Sequence, residues 1–213
     1  MAKPEQASLL VWYRNNVLHL FALAGLTAFA FRHAPQHDLD SLRHLLEPAW
    51  PILARELFLE KDALAGTLPA MLDTLGQAGL LTNEAGAWHR AEELEAGEQL
   101  DLLGRLMQPS LERGYLLLAI LLDQPPGSQG RDGLTERSRQ MAERLALLSG
   151  RDAPEFFDRS LFAGLIGSLE AEGWVWEASD RLWFDQRLRE AAQRSRALFD
   201  AELRHRLQLV TRG

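Results

Sequence analysis

The chain has 213 residues, of which 46% are hydrophobic and 25% charged. This composition is ordinary for a folded globular chain and argues against disorder and against a protein with many membrane spans. The formal net charge of −7 makes nucleic acid a poor candidate for the main partner. The absence of cysteine excludes disulfides, thiolate catalysis and cysteine-ligated zinc.

A long apolar helix is predicted at the start of the chain, over residues 8–31. Its stretch from Val17 to Phe31 carries no charge and is about 15 residues long, against the ~20 that a helix needs to span a bilayer. Arg14 interrupts the apolar run and Arg32 follows it, so a secretory signal peptide is not indicated. Two interpretations stay open: a buried core helix, or an interfacial helix that contacts a membrane or a partner.

The next elements are predicted to be short. Residues 32–40 contain Pro35 and are predicted to form a turn, after which Asp40 would cap a helix over residues 41–46. Apolar residues at helical spacing predict further helices over residues 52–59 and 63–78, the latter capped by Asp62.

A helix followed by a small hairpin is predicted twice. Gly79 is placed to end the first helix, and strands are predicted over residues 80–82 and 87–89. Gly173, 94 positions later, ends a second helix before strands at 174–176 and 182–184. A helix plus hairpin is the second half of a winged-helix unit. The pattern indicates either two winged-helix-like modules or one local pattern that occurs twice.

The fold class predicted is therefore mostly α, a helical bundle with one or two winged-helix-like β-hairpins. Residues 1–123 would hold the apolar helix, the first module and a long helix over 99–122. Residues 124–133, with two prolines and three glycines, would be a linker or exposed loop. Residues 134–213 would hold the second module and an arginine-rich C-terminal helix. That helix is predicted to be solvated and held by ion pairs four residues apart, with a membrane or partner contact as the alternative.

The chain contains one pattern that is typical of a catalytic pair. His33 and Asp38 form an H-x4-D pair, which in glycerolipid acyltransferases acts as a base oriented by a carboxylate. With 6 histidines and 12 aspartates in the chain, roughly 0.3 such pairs are expected by chance. No phosphate-binding block follows, so the pair is interpreted as coincidental. His37 and His44 lie nearby, but Pro35 disfavours the helix that would bring His33 and His37 together on a metal. No metal or cofactor is predicted.

A polar and aromatic cluster stands at the head of the apolar helix. It consists of Trp12, Tyr13, Arg14, Asn15 and Asn16. Asparagines beside an apolar face need hydrogen-bond partners if they are buried. The cluster is predicted either to cap or cross-link helices, or to contact a neighbouring domain.

DNA binding is not supported by the hairpin modules. A recognition helix needs basic residues for phosphate contact, and the helix before the first hairpin contains no lysine or arginine.

Several blocks of the chain, in this order, resemble one protein family. They are Tyr13-Arg14-Asn15-Asn16, Arg55-Glu56-Leu57-Phe58-Leu59, Leu134 to Arg139, Ala142 to Leu145, and Ala153-Pro154-Glu155-Phe156-Phe157-Asp158. They resemble the region that follows the acyltransferase core in bacterial glycerol-3-phosphate 1-O-acyltransferases of the PlsB type. The likeness extends over about residues 9 to 200.

The resemblance implies a role in phospholipid biosynthesis at the cytoplasmic face of the bacterial inner membrane. The family transfers an acyl group from acyl-CoA or acyl-acyl carrier protein to glycerol 3-phosphate. Its catalytic H-x4-D lies before the region that this chain resembles, so no catalytic residue is carried over. The chain is thus expected to be a non-catalytic module that packs on the acyltransferase core, within one polypeptide or as a separate subunit, and that has a peripheral membrane contact.

Two other functions remain as alternatives at this stage. One is a stand-alone winged-helix-like adaptor or regulator that binds protein or DNA. The other is a small independent acyltransferase that uses His33 and Asp38.

Overall fold

The computed structural model describes the backbone of residues 4–148 and 157–212, and the side chains of residues 17–147 and 157–206. The described chain is mostly helical with short antiparallel strands, which confirms the predicted fold class. The helices are α1 (Pro4–Ala30), α2 (Leu39–Leu46), α3 (Trp50–Glu56), α4 (Ala63–Gln77), α5 (Leu94–Leu122), α6 (Arg131–Leu148), α7 (Arg159–Ala171), α8 (Gln186–Arg196) and α9 (Ala201–Arg212). The strands are β1 (Gln36–Asp38), β2 (Leu81–Glu84), β3 (Ala87–Arg90), β4 (Val175–Ala178) and β5 (Arg181–Phe184).

Helices α1 and α5 pack closely at the centre of the fold. Two glycines allow the approach: a Cβ on Gly25 would lie 2.9 Å from the carbonyl oxygen of Leu103, and one on Gly104 would lie 3.2 Å from the backbone of Phe29. From Ala22 to Phe31, α1 and the residue after it are buried or half-buried. The buried-core interpretation of the apolar stretch is right for this part.

Both predicted hairpins are present and close through two-residue turns. Ala85 and Gly86 have positive φ in the first turn, and Ser179 and Asp180 in the second. Positive φ at both central positions defines the type I′ turn, whose twist matches that of the strands it joins. The turn residues therefore fix the register of each hairpin locally.

Both helices that lead into the hairpins end in the same way. Gly79 and Gly173 have φ values of 72° and 65°. The amide that follows each glycine donates to the carbonyl five residues earlier, at 2.9 and 3.0 Å. This is the Schellman ending, which glycine favours because it has no Cβ. The two helix–hairpin units therefore share the geometry of the helix end as well as the order of their elements.

The segment predicted as a turn contains a strand that sequence reasoning missed. Strand β1 pairs antiparallel with β3, so the first sheet has the order β1-β3-β2. The prediction that Asp40 caps the next helix was wrong, because Asp38 has the extended backbone of a cap and its Oδ1 accepts from the Ser41 amide at 2.8 Å.

The second hairpin has a similar neighbour. The Gly127 amide donates to the Leu182 carbonyl at 2.8 Å, and the Leu182 amide donates to the Gln129 carbonyl at 2.9 Å. In both halves of the chain, a segment before the module's helices therefore hydrogen-bonds to the last hairpin strand. In the first half this segment is strand β1, and in the second it is a turn around Gly127. The predicted linker also ends earlier than expected, since α6 begins at Arg131.

Side chains from both halves belong to one continuous core. Buried residues of α1, α4, α5, α7 and α8 form a single hydrophobic cluster. Within the first half, a bidentate pair joins β3 to α5, because Arg90 donates to both carboxylate oxygens of Asp101 at 2.9 Å. The guanidinium of Arg90 holds the pKa of Asp101 below its usual value. The division at residues 124–133 stays a prediction.

The arginine-rich tail is two helices rather than the single helix predicted. Helix α8 ends at Arg196 and α9 begins at Ala201. Asp200 interrupts the run because its Oδ1 accepts from the Leu203 amide at 2.6 Å. A helix that could cross a membrane was not found within residues 4–148 and 157–212.

Candidate functional site

The residues of the H-x4-D pattern have separate structural partners. Asp38 caps α2, and the hydrogen bond from the Ser41 amide lowers the pKa of its carboxyl group. His33 instead faces Asp200, with Nε2 4.0 Å from Oδ2. Burial lowers the pKa of His33, which the charge of Asp200 partly opposes. The interpretation of the pair as coincidental stays a prediction.

The neighbouring histidine is also accounted for by the fold. His37 lies in β1, with Nε2 3.3 Å from the Ala30 carbonyl and its ring edge-on to Phe31. Burial lowers its pKa. Among the described residues, no group of three or more histidine, aspartate or glutamate side chains could hold a metal ion.

The predicted contact cluster lies outside the described side chains. Residues 12–16 belong to α1, but their side chains are not described. The next turn of α1 carries three exposed apolar side chains, Val17, Leu20 and Phe21, whose exposed fractions are 44%, 68% and 41%. We call these three residues the α1 apolar surface. A groove of about 440 Å³ between α1 and α4 adjoins it and is lined in part by Leu20, Leu23 and Met71.

A larger groove lies between α3 and α7. Its volume is about 700 Å³, within the ~300–1,000 Å³ typical of small-molecule sites. Helix α3 comes from the first half of the chain and α7 from the second. Its apolar lining consists of Pro51, Ala54, Phe58, Leu59, Leu161, Leu165 and Ala171. We call it the α3–α7 groove.

Three of the four charged residues lining this groove are paired. Lys61 Nζ lies 2.9 Å from Glu172 Oε1, and this contact raises the pKa of Lys61. Glu56 Oε1 accepts from Arg113 and, at 2.6 Å, from the Ser110 hydroxyl. The lining thus holds two carboxylates whose charges are already compensated.

Arg55 is the fourth, and within the described part of the chain it has no acidic partner. Its guanidinium lies against Gly167 of α7, where a Cβ would come within 3.1 Å of Nη2. The missing side chain at Gly167 therefore leaves room for the guanidinium on the helix backbone.

A strained aromatic residue lines the same groove. Phe58 has φ of 57°, and 96% of its side chain is exposed. A left-handed conformation costs a residue other than glycine about 1–2 kcal/mol. The Leu59 amide donates to the Ala54 carbonyl at 2.7 Å, so Phe58 ends α3 in the same way as Gly79 and Gly173 end their helices.

Sequence reasoning did not identify this groove. Its residues fall on two helices that are about a hundred positions apart, and spacing along the chain does not connect them. One local pattern was available: small residues recur on one side of α7, at Gly164, Ser168 and Ala171. Small residues on one side of a helix predict space beside it, but they do not predict whether a neighbouring helix or a groove occupies that space.

The described part of the chain is a helical module, and its candidate sites are the α1 apolar surface and the grooves between helices. Residues 1–178 match the family model described as glycerol-3-phosphate acyltransferase C-terminal region. The chain belongs to this family.

Curated relatives agree with the family match. A glycerol-3-phosphate acyltransferase of Xanthomonas axonopodis pv. citri is 33% identical over 97% of this chain and 24% of its own length. A glycerol-3-phosphate acyltransferase of Pseudomonas entomophila is 34% identical over 96% of this chain and 25% of its own length. Another, from Xylella fastidiosa strain M12, is 30% identical over 97% of this chain and 25% of its own length. The chain thus spans about a quarter of the length of these relatives. No solved structure is significantly similar to it.

Proposed function

We propose that this chain serves as a non-catalytic module that packs on the core of a glycerol-3-phosphate acyltransferase through the α1 apolar surface. The observation that carries the proposal is the exposure of Val17, Leu20 and Phe21 on a helix whose later turns, from Ala22 to Ala30, are buried or half-buried. Contiguous exposed apolar side chains mark contact sites on otherwise soluble surfaces. Trp12, Tyr13, Arg14, Asn15 and Asn16 are on the same helix and remain candidates for this contact.

The relatives suggest which partner covers this surface. They carry roughly three quarters of their length outside the region that this chain matches. We infer that the acyl donor, acyl-CoA or acyl-acyl carrier protein, and glycerol 3-phosphate bind in that larger part. The chain would order the core rather than supply reacting groups. On this proposal its two helix–hairpin units are winged-helix-like, an assignment supported by the strand order β1-β3-β2 of the first sheet.

The stand-alone adaptor is the less favoured function. The family match covers 178 residues, including the first module and most of the second. The sequence of α4 contains no lysine or arginine, so a DNA contact through that helix would have no cation for phosphate.

The core contact can be tested with a matched pair of leucines. The chain is mixed with the N-terminal three quarters of the Xanthomonas axonopodis relative, and the complex is measured by size-exclusion chromatography and by acyl transfer from acyl-CoA to glycerol 3-phosphate. Leu20→Arg is expected to weaken the complex at least tenfold, because a buried unpaired charge is costly. Leu102→Arg, at an α5 leucine that is 61% exposed, should leave it unchanged.

The same assay tests the non-catalytic role. The chain alone should give no acyl transfer, and the wild-type complex should be at least as active as the isolated core. Activity of the chain by itself, or a complex that tolerates Leu20→Arg as well as Leu102→Arg, would contradict the proposal.

A peripheral membrane contact is a second candidate, favoured by the second hairpin. Trp176 and Trp183 face each other across β4 and β5, with exposed fractions of 42% and 39%. Tryptophan is enriched at membrane interfaces. Helix α8, directly after the hairpin, contains four arginines and one glutamate. Of these, Arg189 and Arg196 have no acidic partner among the described residues and are available to anionic lipid.

Vesicle flotation tests this contact. The chain is expected to float with vesicles that contain phosphatidylglycerol and not with pure phosphatidylcholine, with a blue shift of tryptophan fluorescence. The double substitution Trp176→Ser and Trp183→Ser should abolish flotation. Leu147→Ser, at a leucine that is 76% exposed, should not. Equal flotation of both variants would exclude the hairpin as the contact.

A further inference from the structure

The α3–α7 groove has the features of a ligand site, and we propose that it binds a single-chain anionic amphiphile. In this arrangement the anionic head lies on Arg55 and the alkyl chain lies along the small-residue side of α7. This goes beyond the proposed function, since the groove and the α1 apolar surface are on different elements.

Charge determines the sign of the head group. The lining contains Arg55, Glu56, Lys61 and Glu172. Glu56 is neutralised by Arg113, and Lys61 and Glu172 neutralise each other. Among the described residues of the lining, the uncompensated charge is therefore the single positive charge of Arg55. A guanidinium offers two parallel N–H groups to a carboxylate or phosphate, which makes such heads its preferred ligands.

The shape of the groove suits an alkyl chain. Its lining follows α7 from Ser160 to Glu172, a distance of about 18 Å at 1.5 Å per residue. A Cβ on Gly164 would meet no atom within 4 Å, so the groove is open at this point of the helix. Arg55 lies against Gly167, less than one turn further on. An alkyl chain that lies along α7 would therefore come close to the Arg55 guanidinium.

Phe58 supplies a further apolar contact. Its ring is almost fully exposed at a backbone conformation that favours glycine, yet it belongs to the lining. Burial of an alkyl chain against this exposed ring removes apolar surface of both from water, which favours binding. On this proposal the alkyl chain gives the exposed Phe58 ring an apolar partner.

The direct test uses amphiphiles below their micelle concentration and isothermal titration calorimetry on the full chain. Dodecyl phosphate and laurate share the alkyl chain and an anionic head, and binding of either supports the proposal and identifies the head group. Dodecyltrimethylammonium has the same chain and the opposite charge, and inorganic phosphate is a head without a chain. Both should bind at least tenfold more weakly. Equal binding of the cationic amphiphile would overturn the proposal.

Two glycine variants locate the site without disturbing the core. Gly164→Leu fills the groove, whereas Gly66→Leu adds the same side chain on α4 at another position with no atom within 4 Å. Gly164→Leu is expected to weaken binding at least tenfold, and Gly66→Leu to leave it unchanged. Arg55→Gln should remove the preference for the anionic head and retain weak binding of the chain. Unchanged binding in Gly164→Leu would place the amphiphile elsewhere and overturn the assignment. Failure here would leave the core contact through α1 unaffected, since that contact is measured with a different partner and a different variant.

Discussion

Replacing Arg113 by methionine is expected to lower the free energy of unfolding by about 3–5 kcal/mol. The side chains of Arg113 and Glu56 are 5% and 11% exposed and form an ion pair between α5 and α3. Removal of the guanidinium leaves the Glu56 carboxylate in a buried site with the Ser110 hydroxyl as its remaining described partner. Urea denaturation followed by far-UV circular dichroism measures the change.

An exposed ion pair provides the control. Arg139 pairs with Glu136 and Glu143 on α6 and is 30% exposed. Arg139→Met should cost less than about 1 kcal/mol, because water screens such pairs. Combining Glu56→Leu with Arg113→Met should recover much of the loss, since the Glu56 carboxylate is then no longer left without its guanidinium. If Arg113→Met lowers the free energy of unfolding no more than Arg139→Met does, the prediction that the buried ion pair stabilises the fold is wrong.

Replacing Gly25 by leucine is expected to lower the free energy of unfolding by about 3 kcal/mol, at the upper end of overpacking costs. A Cβ at Gly25 would lie 2.7 Å from Met107 Cγ and 2.9 Å from the Leu103 carbonyl oxygen. Met107 is fully buried, and the carbonyl belongs to the backbone of α5, so neither can move freely. The same denaturation experiment measures the effect.

The same substitution at an exposed position of a helix should not destabilise the chain. Gly66 is an exposed position of α4, and leucine is a better helix former than glycine by up to about 1 kcal/mol. Gly66→Leu should therefore be neutral or stabilising. Equal destabilisation by both variants would mean that helix geometry, and not the α1–α5 contact, determines the cost.

The two candidate surfaces lie on either side of one loop. Leu59 lines both the α3–α7 groove and the groove beside the α1 apolar surface. Residues 57–62 therefore separate the proposed ligand from the proposed protein contact. Because the two sites have different partners and separate variants, the two proposals can be tested independently.

Little of the candidate site could be predicted from the sequence. The apolar stretch of α1 was visible, but only packing against α5 determines which turns are buried and that Leu20 is left 68% exposed. Arg55 and Glu56 belong to one of the segments whose sequence resembles the family. Their two side chains have opposite environments, because Glu56 turns to Arg113 whereas Arg55 turns to Gly167. Neighbouring positions on a helix point in different directions, so their partners depend on which helices pack there.

The sequence by itself determined the local structure of this protein. Glycines in left-handed helix ends and two-residue turns act over a few residues, so both hairpins could be placed before the fold was known. Tertiary structure alone decided the rest. Strand β1 exists because β3, about fifty positions later, supplies its hydrogen-bond partners. Within the described part of the chain, Arg55 is left without an acidic partner because the nearby carboxylates pair with residues distant in sequence. Contacts of this kind depend on how complete helices pack, and short-range patterns do not encode that packing.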